Sequence, residues 1–139
     1  MVNYLCYLDF PDYYISNFNE LNRKFEIEIA HYASYIKGEM AEAVKIFEFL
    51  AEALAYLPFE KIAVELNPNN AITCTLAFKN NIILILSKPF YKTEELEEDE
   101  LIATLFHQKE RIFSDAKGLA DLVKDVKEFL SLPSVSNQG

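Results

Sequence analysis

The sequence predicts an α+β domain: N-terminal helices, then an antiparallel meander of four or five strands, then a C-terminal helix. Three observations carry this. Apolar residues recur at helical spacing from about 18 to 57, the period changes to two after Leu57-Pro58, and a last helical stripe runs from Leu119 to Leu130. With 139 residues, 51% of them hydrophobic, the chain has the material for one core without a disulfide or metal to hold it. Residues 1–132 are read as a single domain and 133–139 as a flexible tail of small and polar residues.

The start of the chain, Met1 to Phe10, is apolar on both parities and fits a short strand or a helical turn. Ser16 and Asn17 are candidate helix N-caps, because their side-chain oxygens accept orphan backbone N–H groups. Leu21, Phe25, Ile29, Tyr32, Tyr35 and Ile36 then follow a helical repeat. Phe25, Ile27 and Ile29 also alternate at period two, but the flanking residues favour helix. Gly38 weakens a helix interior by about 1 kcal/mol relative to Ala, so one helix and two helices broken near Gly38 both satisfy the pattern. Beyond it Val44, Phe47, Leu50, Ala51, Leu54 and Leu57 form one apolar face. Pro58 cannot continue the ladder and biases Leu57 out of the α region, which ends the helix.

Ile62–Leu66 reads as the first strand, and Asn67-Pro68-Asn69-Asn70 as a turn. Ile72, Cys74, Leu76 and Phe78 alternate with Thr73, Thr75 and Ala77, the pattern of a half-buried strand. Lys79-Asn80-Asn81 is a tight connection, since Asn accepts the positive φ of a primed hairpin turn. Ile82–Ser87 is apolar on both parities and suits a central strand. An acidic connector, Thr93 to Glu100, leads to the strand Leu101–Phe106. His107 to Glu110 turns it into a short partner strand, Arg111–Phe113. Ser114 or Asp115 is expected to cap the last helix, and the apolar faces of helices 41–57 and 116–130 are expected to cover one face of the sheet.

Composition narrows the function classes. The net charge is −9, and the only adjacent basic pair is Arg23-Lys24, so direct nucleic-acid binding is not expected. No apolar run has the roughly 20 residues of a membrane span, and the first ten residues lack the basic start of a signal peptide. The two cysteines, Cys6 and Cys74, have no metal or disulfide spacing, which points to a reducing, cytoplasmic setting. Cys74 falls on the same parity as Ile72 and Leu76 and reads as a core residue.

His31 and His107 are the only histidines. His31 reads as a helix-surface residue. His107, with Glu110 and the acidic connector close in sequence, is the one candidate for acid–base or metal chemistry. No P-loop, dinucleotide motif, zinc pair or catalytic elbow accompanies it, and no cofactor is expected. The leading expectation is therefore a small acidic protein-binding module, of the adaptor, inhibitor or immunity-factor kind, without catalytic activity. The alternative is a small hydrolase or metal-dependent enzyme using His107 and nearby carboxylates. Mimicry of nucleic acid rests on the charge alone. Candidate partner-binding residues are the tyrosines Tyr4, Tyr7, Tyr13 and Tyr14, because Tyr suits half-wet interfaces, and the acids Glu94, Glu95, Glu97, Glu98, Asp99 and Glu100. The partner is expected to be a protein, a basic one or a second copy of the chain.

Overall fold

The structure is a computed structural model that describes residues 13–32, 40–67, 71–89, 96 and 100–136. Two helices, α1 (Tyr14–Tyr32) and α2 (Met40–Leu54), precede five strands: β1 (Lys61–Asn67), β2 (Ala71–Phe78), β3 (Ile82–Pro89), β4 (Glu100–His107) and β5 (Glu110–Gly118). Helix α3 (Leu119–Leu130) and a single turn, α4 (Pro133–Ser136), close the chain. The strands form one antiparallel sheet in the order β1-β2-β3-β4-β5. This is the expected α+β meander with helices before and after it. The residues around Gly38 lie outside the described ones.

The helices run antiparallel. Near one end the Tyr14 ring meets Tyr56 at 4.7 Å, and further along Phe25 stacks on Phe47 at 3.9 Å. Helix α2 does not end sharply at Pro58. Its regular turns stop at Leu54, and the next two residues tighten, with Tyr56 N–H bonding Ala53 O and Leu57 N–H bonding Leu54 O. Two carbonyls at this end accept from side chains at and just before the start of α1. Tyr13 donates its hydroxyl to Tyr56 O at 2.7 Å, and Asn17 donates Nδ2 to Leu57 O at 2.7 Å. Ser16 and Asn17 are thus not N-caps. The helix starts before them, and Asn17 is buried with its Nδ2 on the Leu57 carbonyl, which also accepts the Phe59 N–H at 2.9 Å.

One face of the sheet belongs to the core. The row Ile62–Leu76–Leu84–Leu105–Phe113 crosses all five strands, and Val64–Cys74–Leu86–Ala103 lies beside it. Except for the partly buried Phe113, these are buried with Leu50, Ala51 and Leu54 of α2 and Leu122, Val123 and Val126 of α3. Burial pushes the Cys74 thiol up to about 12, so it stays a proton-bearing core residue.

The junction before α3 differs from the expectation. Strand β5 runs on to Gly118, which pairs with Glu100, and α3 begins at Leu119 with no side-chain cap. Ser114 and Asp115 lie within β5, where ladder bonds to β4 outweigh their capping preference. Lys117, also in β5, reaches Asp125 of α3 at 2.7 Å and lies over the Phe113 ring. The segment read as a tail from 133 carries one anchored turn. Val135 is buried in the core, and Asn80 Nδ2 donates to its carbonyl at 2.9 Å.

Candidate binding face

The opposite face of the sheet presents three full rows. The middle row is Ala63–Thr75–Ile85–Thr104–Ser114. Towards the hairpin turns lies Lys61–Ala77–Ile83–Phe106–Arg111, and on the other side Glu65–Thr73–Ser87–Ile102–Ala116. Every one of these residues is half-buried or exposed, whereas their inward neighbours on β1 to β4, Lys88 and His107 excepted, are buried. Ile102 is 42% exposed. Only Thr104 and Ser114 join side chains across the middle row, at 2.8 Å. The face thus has an apolar centre of Ile83, Ile85, Ile102 and Phe106 set among threonines and alanines.

Its charges are separated along the strands. Lys61, Arg111 and the turn residue Lys109 stand at the hairpin end, and Glu65 and Glu100 at the other. At the hairpin end Asn81, Ile83, Phe106, Gln108 and Lys109 line an open concavity of about 660 Å³. Two turns frame it. Asn80 and Asn81 have φ of 65° and 59°, as the sequence led us to expect of asparagines there. Gln108 and Lys109 hold φ of 53° and 71° in a two-residue turn, with no Gly or Asn to ease the left-handed conformation. Gln108 N–H bonds Asn81 O at 3.0 Å and ties the two turns together. Close by, β5 is bulged. Leu105 pairs with Phe113 and Phe106 with Arg111, which leaves Ile112 over and 43% exposed.

Of the candidate residues named from sequence, Glu100 borders this face, and Tyr13 and Tyr14 lie at the start of the first helix. Tyr14 is 7% exposed, stacks on Phe18 and packs at a tilt against Tyr56, as part of the core. Tyr13 is half-buried, and burial raises the pKa of the hydroxyl that it donates to Tyr56 O. Tyr4, Tyr7, Glu94, Glu95, Glu97, Glu98 and Asp99 lie outside the described residues. Glu100 opens β4, and its carbonyl accepts Lys88 Nζ. His31 is exposed near the end of α1.

Of the acids named with His107, those of the connector before Glu100 lie outside the described residues. Glu110 is the cross-strand neighbour of His107, but Glu100 stands at the far end of β4 on the opposite face, seven residues and roughly 23 Å away. The His107 ring packs edge-on against Phe129 of α3 at 5.6 Å. Among the described residues, no three of His, Cys, Asp and Glu are grouped to hold a metal ion. No helix among them is long and apolar enough to cross a membrane.

Sequence reasoning passed over Ile83, Ile85, Ile102 and Phe106. The signal was present in Ile82–Leu86, which is apolar at the outward as well as the inward positions. A strand of that kind is covered on both faces or carries an apolar surface. The fold defines an α+β protein whose five-stranded meander has no described helix over this face. Comparison with protein-family models, curated proteins and solved structures yields no match for the chain.

Proposed function

We propose that the chain is a non-catalytic protein-binding module of the cytoplasm and that the sheet face over which no described helix lies is the binding surface. The observation that supports this is the apolar centre formed by Ile83, Ile85, Ile102 and Phe106, flanked by charge at both ends. Apolar patches rimmed by polar residues mark interaction sites, and aromatic residues such as Phe106 are favoured at their centres. The buried, protonated thiol of Cys74 suits the reducing compartment.

The test is a differential capture from the native host, using the full chain and its Ile102→Glu and Ile85→Glu variants as bait. Proteins retained by the wild type and lost with both variants support the reading. Circular dichroism first establishes that the variants remain folded. A set of captured proteins that is the same for all three baits overturns it.

A further inference from the structure

We infer that the occupant of this face is a second copy of the chain, packed sheet against sheet about a two-fold axis that crosses the strands along the middle row. The inference rests on reading the face as a protein-binding surface and adds which partner it takes. Its basis is the distribution of charge. A two-fold axis in the plane of contact has two simple orientations. An axis along the strands would set β1 over β5 with like ends together, bringing Lys61 onto Arg111 of the second copy at two symmetric places. Such juxtaposition of like charges disfavours association.

An axis across the strands keeps β1 over β1 and β4 over β4 but reverses their ends. Lys61 then stands over Glu65 of the second copy, and Lys109 over its Glu100, each pair occurring twice. Phe106 meets Ile102, and Ile85 meets its own equivalent on the axis. The face is therefore self-complementary in charge and in apolar content, as an isologous interface requires. Twisted sheets stacked in this way cross at about 30° and lie about 10 Å apart, which side chains of Ile and Phe size fill.

The size of the face sets the strength. Five strands about 4.8 Å apart and seven residues of about 3.3 Å give roughly 24 by 23 Å. That is about 550 Å² per copy before surface relief is counted, which approaches the lower end of specific interfaces. The dimer is accordingly a reversible one. The net charge of −9 on each copy opposes it, but at about 0.15 M salt charges beyond roughly 8 Å are screened while the facing pairs are not.

Sedimentation of the purified full chain in physiological salt tests the arrangement. The wild type is expected to shift from monomer to dimer as its concentration rises through the micromolar range. Lys61→Glu and Glu65→Lys each place like charges across the interface and should weaken the dimer at least about tenfold. Mixing the two single variants restores opposite charges at both sites and should restore the dimer, as should the double variant K61E/E65K. Recovery on mixing excludes misfolding as the cause of the single-variant losses. A wild type that remains monomeric up to millimolar concentration overturns the inference and leaves the capture comparison to decide the binding reading on its own. A dimer indifferent to Lys61→Glu, or single variants that fail to recover on mixing, overturns it as well.

Discussion

On the inner face of the sheet, Leu76, Leu84 and Leu105 sit side by side with no surface left to water. One residue along each strand, Ala77, Ile83 and Phe106 form an equally apolar row that stays half-exposed. The residue types differ little between the two rows. What differs is that the first is buried in one core with α1, α2 and α3, and no described helix lies over the second. The lesson is that hydrophobicity alone does not assign a strand residue to the core. A leucine removed from water contributes about 1.5–3 kcal/mol, and that gain exists only where another element supplies the cover.

Substitutions should separate the two faces sharply. Leu84→Ala, in the middle of the inner row, is expected to cost about 2–5 kcal/mol in urea unfolding, through lost transfer energy and the cavity left behind. A loss under about 1 kcal/mol would mean that the core collapses around the site. Asn17→Ala should cost about 1 kcal/mol, because the Leu57 carbonyl loses the buried Asn17 donor and keeps the Phe59 N–H. The helix α1 end would loosen first, visible as faster amide exchange there than in β3.

Two further changes probe the turns and the outer face. Replacing Gln108-Lys109 by Asn-Gly relieves two left-handed residues and should stabilise the fold by about 1 kcal/mol, read as a raised Tm. The same change removes Lys109, so it should also weaken the dimer. Ile85→Thr, on the outer face, should alter monomer stability by less than about 1 kcal/mol. A cost as large as that of Leu84→Ala would show that the outer face is covered within the monomer.

The inner face also carries a pH signature. Cys74 keeps its proton to about 12, against 9.0 for an unperturbed thiol, so the unfolded chain is the one that loses a proton first. Its contribution is complete below pH 9 and is lost as pH rises towards 12. Tyrosines titrate in the same range, so the informative quantity is the difference between wild type and Cys74→Val, which should show a shallower fall. Equal slopes would place the thiol within reach of solvent.

The sequence was most legible where a periodic pattern spans a whole element. The alternation Ile72, Cys74, Leu76, Phe78 is the buried set of β2 residue for residue, and Asn80-Asn81 marks a real left-handed turn. It was least legible at junctions. Ser114 and Asp115 carry good helix-capping chemistry yet lie in a strand, since pairing with β4 is a non-local interaction that no short window contains. Tyr13 and Tyr14 looked like interface residues because a tyrosine's apolar ring and polar tip suit an interior carbonyl contact as well as a partner.

By itself the sequence determined the fold class, the meander order and the inward set of β2, because periodicity and turn chemistry are local and strong. Only the tertiary structure decided which apolar face stays partly exposed and how its charges are arranged. Lys61, Glu65, Glu100 and Lys109 are scattered along the chain. They become opposite ends of one surface only when five strands are laid in register, and that register is fixed by the core on the other side of the sheet.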